Sequence, residues 1–527
     1  MTTMIKPNWL DRAVSQVSPT WGARRLEARM RSEFCLSSYN SAVSSRRNAL
    51  SGSGGGTGDW HITAGDLWKI REKCRDLERN NCIFRGILKR LDDNVISTGI
   101  GVQATTEDKD WNKEAEYLFA DFADDAGRCD LEGKNNHWQQ QRLVFHSAKR
   151  DGDILALWVN VGNDEAGIQL LEGDRLASPP GASEENIING VRLDERGRPA
   201  AFWITDKPTL GPYAAAGGSW KDAEHCLFIT NERDRVSQTR GVPAFASNLN
   251  IFEDVDQVLE AELLAFKINS CFAFFWGREQ HLWPTQDTQT QPSAYGGTDY
   301  LERISPGQIV KGSPNDIAQA VESRRPGPMF YEGLKAFFRI IGLNHGLPLQ
   351  MTLLDFSETS WSAHRSAILE ARRGFVVDQK RIGIEFVRPV YWRKIWDFIQ
   401  AGELGYPKTD NPERDWERCR LQYPTWPWTD PEADTKANAV ALATGQKTYM
   451  DIAEENGVFW EDLLDQRVRE MVYLRDAAVK AKLDPALFLK TPVPGFGEKG
   501  RSPERKPMNP DKEPEEQEDE DATTNAA

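Results

Sequence analysis

From Thr63 to Asn94 apolar residues recur three and four positions apart: Leu67, Ile70, Cys74 and Leu77, then Ile83, Ile87 and Leu91. That spacing puts them on one face of an amphipathic helix, with a slip at Asn80-Asn81 and Arg or Lys at nearly every turn of the other face. Thr63, with Asp66 three residues on, supplies a start signal. Between His137 and Val236 the pattern changes. Short runs, Ile154–Val159 and Ala201–Ile204, stand among the turn pairs Asp151-Gly152, Arg196-Gly197 and Gly217-Gly218. They predict a β-rich module with mixed or antiparallel pairing, in which Val191–Leu193 and Phe202–Ile204 form a hairpin across Arg196-Gly197.

Helical spacing returns after Gly241-Val-Pro243, where Phe245, Leu249, Phe252, Val255, Leu259, Leu263 and Phe266 share one stripe. Residues 283–327 are rich in Gln, Pro and Gly and read as an irregular insertion. Phe330, Leu334, Phe337 and Ile341 mark a second helix, stopped by Gly346-Leu-Pro348. A third runs from about Ser362 towards Gln400, broken or kinked by Pro389. Gly445 ends a further helix, Thr448 with Asp451 starts the next, Gly457 ends that one, and Trp460–Lys480 forms another. The first sixty residues are polar and end in the glycine-rich stretch 51–58. No Gly-Lys-Ser/Thr follows it, so a flexible linker is expected rather than a phosphate loop. From Pro492 onward Pro, Gly and charge predict disorder.

The chain carries a formal net charge of −15, and eight carboxylates lie between Asp511 and Asp521 against the single Lys512. An acidic protein lacks the cationic footprint that grips a nucleic acid along its length, so any DNA should slide past or touch locally. The seven cysteines, Cys35, Cys74, Cys82, Cys129, Cys226, Cys271 and Cys419, are scattered without zinc spacing and read as free thiols. Cys271–Trp276, the longest apolar run, is too short for a bilayer, and no secretory signal precedes it, so a cytoplasmic setting is expected.

No H-E-x-x-H, G-x-S-x-G or Walker A pattern occurs. Asp151, Asp153 and Asp174 could serve a two-metal nuclease, although Asp-Gly is also a common turn. A Ser357/His364/Asp355 triad can be drawn, but closeness in sequence says little about triad geometry. Trp392, Trp396, Trp426 and Trp428 could stack bases, or fill cores and subunit interfaces. No catalytic, metal or cofactor site is expected.

Three segments resemble a known family. The first is Leu67–Asn81, ending in Arg79-Asn80-Asn81, followed by Asn94–Gly101 with its Gly99 and Gly101. The second is Arg240-Gly241-Val-Pro243. The third is Gly346–Ser357, with Pro348 and Asp355, then Trp361–Arg365, Leu369-Glu370 and Arg388-Pro389-Val-Tyr391. In this order, over residues 60–480, they resemble the lambda-type portal proteins of tailed bacteriophages. The family's Tyr-Ser-Ser-x-Arg reads Trp361-Ser-Ala-His-Arg365 here, which keeps the aromatic ring and the Arg.

The resemblance implies an α+β portal fold: a mixed, β-rich wing, a two-helix stem, a small clip insertion, a kinked long wing helix and a helical crown, then a disordered acidic C-terminal tail. It maps an N-terminal arm to 1–60, wing to 61–242, first stem helix to 243–276, clip to 277–327 and second stem helix to 328–345. The channel loop follows at 346–361, the long wing helix and loop at 362–430, the crown at 431–491 and the tail at 492–527. Leu353, Asp355, Ser357, Glu358, Thr359 and Trp361 would line the channel, where Asp355 either repels passing phosphate or only caps a turn. Leu249, Phe252, Val255, Leu259, Leu263, Phe266, Phe337 and Ile341 would pack the stem, within one subunit or between subunits.

The implied assembly is a homo-oligomeric ring, a dodecamer, at one capsid vertex of the virion, built in the host cytoplasm. Its partners would be the terminase large subunit, major capsid and scaffold or protease proteins, head–tail connector proteins and duplex DNA in transit, with no membrane, no cofactor and no enzymatic role. The rival readings are a tail or baseplate component, a metal-dependent nuclease and an adaptor with an acidic tail.

Overall fold

The computed structural model describes residues 56–162, 165–179, 186–207, 217–271, 275–278, 316–319, 329–357, 359–427 and 430–481. The arm before residue 56, nearly all of the expected clip, Glu358, Trp428 and the acidic tail lie outside the described residues. The chain divides into two compact units, up to Val440 and from Ala441.

The first unit opens with α1 (Ala64–Asn80) and α2 (Cys82–Val95). The Thr63 side chain caps α1 by accepting from the Asp66 backbone, as the sequence indicates. The single helix expected over 63–94 is in fact two. Asn81 leaves the helical region (φ −111°, ψ 112°), and its side-chain oxygen accepts from the backbone of Ile83 and Phe84. The slip in the apolar pattern is thus an N-cap.

β1 (Gly101–Ala104), α3 (Lys109–Asp124) and α4 (His137–Asp151) follow. The β-rich module expected from His137 therefore begins one helix late. An Asn136/Gln139 capping box starts α4, and its buried face mixes Gln140, Gln141 and Lys149 with Val144, Phe145 and Ala148. Those buried polar positions conceal the helical period.

Seven strands come next: β2 (Asp153–Gly162), β3 (Glu165–Glu172), β4 (Ile187–Ile188), β5 (Val191–Leu193), β6 (Pro199–Thr205), β7 (Gly218–Asp222) and β8 (Cys226–Thr230). They form two antiparallel sheets, ordered β3-β2-β8 and β4-β5-β6-β7. The expected hairpin is present, with Val191 opposite Phe202. Alternation along β2 sends Ile154 and Ala156 into the main core, while Leu155 and Leu157 join Val191, Phe202 and Ile204 in a second core shared by the two sheets.

The chain continues through α5 (Leu249–Cys271), β9 (Phe275–Arg278), β10 (Asp316–Gln319) and α6 (Phe330–Asn344). It goes on through α7 (Leu349–Leu353), α8 (Trp361–Ile382), α9 (Arg388–Ala401) and β11 (Cys419–Gln422), which pairs with β1. β9 and β10 form an antiparallel pair at the two ends of the insertion.

Two helical expectations change. The helix placed from Pro243 begins at Leu249, because the backbone before it bonds elsewhere: the Val242 carbonyl accepts from the Asn231 side chain and the Ala244 amide donates to Lys149. Phe245 thus precedes the helix rather than opening its stripe. Of the break or kink expected at Pro389, the break is absent. A π-helical turn, Gly383–Val387, sits just ahead of it and joins α8 to α9. Proline lacks the N–H for one ladder bond, and the widened turn accommodates that loss.

The core centres on Phe84 of α2, whose ring lies 4.4 Å from Phe245 and 5.3 Å from Phe252. Leu249, Val255, Phe338 and Ile341 are buried with it, while Leu259 and Phe337 are half-buried against the same core. Among the described side chains, Cys74, Cys82, Cys129, Cys226 and Cys419 are free cysteines.

α10 (Pro431–Ala443) leads into the second unit, where α11 (Tyr449–Glu455) and α12 (Trp460–Lys480) follow. Thr448 and Asp451 make the expected capping box, and Gly445 and Gly457 take positive φ of 69° and 71° at the helix ends. Phe84→Ala should lower the unfolding free energy by about 3–5 kcal/mol, whereas Leu263→Ala, at an exposed site, should change it by about 0.5 kcal/mol or less. Urea denaturation of the isolated chain measures both.

Candidate functional site

The segment expected to line a channel is built from the end of α6 outward. Asn344 donates to the Ala244 carbonyl at 2.9 Å, and the His345 ring packs 4.1 Å from Phe245. Gly346 turns the chain with φ +64°. Pro348 then precedes α7, its carbonyl accepting from Met351 and Thr352. The expected loop 346–361 thus contains a short helix, and it ends where Leu354 takes the left-handed conformation, φ 56°. After α7, the described irregular chain covers 354–357 and 359–360, since α8 begins at Trp361 with Ser360 as its cap.

Asp355 organises that segment. Its carboxylate accepts from the Ser357 hydroxyl at 2.6 Å, the Ser357 amide at 3.1 Å and the Tyr331 hydroxyl of α6 at 2.6 Å. Hydrogen bonds from Ser357, then Tyr331, hold its pKa down at about 2, so it is ionised. The Ser357 hydroxyl is directed to Asp355, and His364 packs edge-on against Phe356 at 4.8 Å and lies 6.5 Å from Trp361. The imagined triad is therefore not assembled: the serine reaches the carboxylate directly, without an intervening imidazole.

Thr359 accepts from Gln350 at 2.9 Å and Leu353 is half-buried against the core. Leu354, Phe356 and Trp361 are exposed. Sequence reasoning passed over Leu354 and Phe356, although two large apolar residues flanking a loop Asp were a legible signal.

Around the start of β2 lies a charge network that the sequence left unassembled. Asp153, fully buried, accepts from Nε of Arg240 at 2.7 Å, Nη2 of Arg240 at 2.9 Å, Nη2 of Arg71 at 2.8 Å and the Gly241 amide at 3.2 Å. Arg240, 1% exposed, also donates to the carbonyls of Gly173, Leu176 and Asn189, so all five of its N–H groups are used. Asp151 accepts from both Arg75 and Arg150, and Arg75 reaches Asp174 at 3.1 Å.

These guanidinium contacts occupy the three carboxylates that a two-metal site would need. Among the described residues no group of three His, Cys, Asp or Glu is placed to hold a metal. Burial alone would raise the Asp151 pKa, but hydrogen bonds from Arg150 and Arg75 outweigh it and hold the value at about 2. Nearby, His146 bridges Asp92 at 2.8 Å and Glu78 at 3.0 Å; burial lowers its pKa, yet the two carboxylates win and raise it.

The motif residues divide by role. Asn81 links α2 to α5 by donating to Asp256. A Cβ on Gly99 (φ +112°) would meet Trp138, and one on Gly241 would lie 1.8 Å from the Gly152 carbonyl. Gly101 opens β1, and the Pro243 carbonyl accepts from Ala246. Arg365 pairs with Asp434 at 3.0 Å. Arg79 with Asp76, Asn80 with Asp76, and Glu370 with Arg373 are surface pairs. The tryptophans do not gather: Trp396 packs on Trp416, Trp392 donates to the Glu417 carbonyl, and Trp426 lies against Phe375.

The family described as phage portal protein, lambda family, matches residues 45–379. Among solved structures, the chain is similar to one in the neck of an empty gene transfer agent particle, with 12% identity, 73% of this chain and 94% of that chain covered, and a TM-score of 0.41. It is also similar to an HK97-family phage portal protein from Corynebacterium diphtheriae, with 9% identity, 70% and 98% covered, and a TM-score of 0.31. No curated protein matches it.

The depressed Asp151 pKa makes a pH prediction. Its contribution is complete above the unfolded carboxylate value near 4 and is lost as pH falls towards about 2. Asp151→Asn should remove roughly 2 kcal/mol of stability at pH 7 and flatten the acid limb of the stability profile between about pH 4 and 2. Denaturant titrations at stepped pH read this directly.

Proposed function

The chain belongs to the lambda family of phage portal proteins, which places it at the portal vertex of the virion, and we propose that it works there as a ring through which duplex DNA enters and leaves the capsid. The observation that carries the ring is the continuation of a buried stripe into solvent along one helix. On α5, Leu249, Phe252 and Val255 are buried, while Leu263, Leu264 and Phe266 further along are 54%, 58% and 61% exposed. On α6, Tyr331, Ile340 and Leu343 are exposed as well. Apolar area left uncovered on a protomer marks an association surface. A heterologous contact repeated round a closed ring would cover it on every copy. Within the second unit, α12 likewise exposes Leu463, Val468, Met471, Val472 and Tyr473. Twelve subunits are proposed on the family resemblance.

The loop 354–360 is proposed to face the channel. The ionised Asp355, held by Tyr331 and Ser357, presents negative charge, and the exposed Leu354, Phe356 and Trp361 present surfaces that make no ion pair with phosphate. Such a lining lets a polyanion slide rather than bind, in keeping with the chain's net charge of −15. The terminase large subunit, capsid, scaffold or protease and head–tail connector proteins are the partners proposed. A metal-dependent nuclease is disfavoured, because Asp151 and Asp153 are closed off by Arg71, Arg75, Arg150 and Arg240. Among the described residues no helix is long and apolar enough to cross a membrane.

Leu263→Ser with Phe266→Ser should weaken each subunit contact by about 2 kcal/mol or more and shift rings to smaller species. Negative-stain electron microscopy and sedimentation velocity check it; unaltered rings would remove α5 from the interface. Charge neutralisation by Asp355→Asn with Glu358→Gln should slow packaging in an in vitro assay, and an unchanged rate and packaged length would overturn the loop assignment.

A further inference from the structure

Three helices meet at one imidazole. His146 of α4 turns Nδ1 to Asp92 of α2 at 2.8 Å and Nε2 to Glu78 of α1 at 3.0 Å. Its side chain is 20% exposed, and those of Asp92 and Glu78 are 5% and 22% exposed. The two carboxylates stand on opposite sides of the break at Asn81, where the chain leaves α1 and re-enters helix as α2. A single ring on α4 therefore holds both halves of the helix pair.

A neutral imidazole has one N–H and one lone pair, so it can donate to only one of two facing carboxylates. An imidazolium donates to both. The surrounding charges do not replace it. On α1, Arg75 is engaged by Asp151 and Asp174, and burial keeps the Cys74 thiol protonated. On α2, Asp93 is paired with Arg142 of α4 at 2.6 Å. Arg150 of α4 reaches Glu78 at 2.9 Å while also serving Asp151 and Glu172 of β3. Glu78 thus keeps a partner without His146, whereas Asp92 does not. Among the described residues, His146 is the only side chain that hydrogen-bonds to Asp92, whose second oxygen is buried without a partner. Loss of the ring proton leaves that carboxylate buried with no counter-charge in contact.

We propose that His146 is a proton-dependent clamp: protonated, it fastens α1 and α2 to α4 across the Asn81 break, and deprotonated, it releases α2 at Asp92. The clamp opens on the alkaline side. Burial opposes the ring's charge, but hydrogen bonding and attraction from Asp92, then Glu78, outweigh it and raise the pKa. The clamp's contribution is therefore complete below the ordinary histidine value of about 6.5 and is lost as pH rises through the folded value. The joint it guards also carries the Asn81–Asp256 contact to α5.

The test uses full-length protein at stepped pH between about 5.5 and about 9, the range that brackets an imidazole titration. Exchange of the His146 C2 proton, read by peptide mass spectrometry, gives the titration midpoint of the ring. It should lie above the midpoint of the same residue in the chain unfolded in urea. Amide exchange over residues 77–90, normalised to the unfolded chain at each pH, should accelerate by about fivefold or more across that midpoint. Peptides of the β5–β6 hairpin are the control and should not follow. His146→Gln should flatten the amide profile, and Asp92→Asn should lower the imidazole midpoint and flatten the profile as well. A His146 midpoint at or below the unfolded one, a flat wild-type profile, or a rise that persists in His146→Gln would each overturn the proposal. If the glutamine variant does not fold, Asp92→Asn decides alone, since an unmoved midpoint there removes the clamp.

Discussion

Asp153 is buried without exposure between two guanidinium groups, Arg71 of α1 and Arg240 of the segment between β8 and α5, and the arrangement of the first unit depends on that triad. Ions removed from water carry a large desolvation cost, which is offset only when geometry is good and every donor is used. Here the condition is met. Arg240 gives all five N–H groups to the Asp153 carboxylate and to three carbonyls, two on the turn after β3 and one between β4 and β5. Removing the Asp153 charge would leave Arg71 and Arg240 buried without their shared counter-ion, a loss on the order of 3–5 kcal/mol. The network therefore fixes which elements meet more sharply than apolar packing alone would.

Its geometric consequence appears at Gly152 and Gly241. The two backbones approach so closely that a Cβ on Gly241 would fall 1.8 Å from the Gly152 carbonyl, and the Gly241 amide completes the Asp153 shell. From that contact the chain runs three residues to Ala244, whose amide bonds to Lys149 and whose carbonyl accepts from Asn344. The buried charges around Asp153 thus set the position of the segment ahead of α5. That segment in turn holds the end of α6, from which the 354–360 loop departs. The loop thus departs from a well-bonded base, while its own Leu354 and Phe356 remain exposed.

Uncovered apolar surface is the other governing feature. α5 begins as a core helix beside Phe84 and ends with Leu263, Leu264 and Phe266 in solvent. One amphipathic stripe serves two environments along its length, and apolar area left uncovered marks an association surface. The ring proposed for this portal family member gives the second half of the stripe its partner. Asp355, beside the exposed Leu354 and Phe356, is ionised.

Helix existence, the β5–β6 hairpin, the capping signals at Thr63 and Thr448 and the helix-ending glycines were legible in the sequence, because each depends on residues a few positions apart. The ordered family motifs were legible for the same local reason. Other features were not. The helix α4 was hidden by the buried Gln140, Gln141 and Lys149, whose burial is satisfied by distant partners such as Asp378 and the Ile100 backbone. Asp151 and Asp153 read as a turn or as metal ligands, and only contacts 76 and 87 residues away, to Arg75 and Arg240, made them a structural ion network. The π-helical turn before Pro389 and the late start of α5 belong to the same class. Local hydrogen-bond and propensity terms determined the elements by themselves, whereas the pairing of buried charges and the closeness of two glycine backbones are energies between remote residues, so only the tertiary structure decided them.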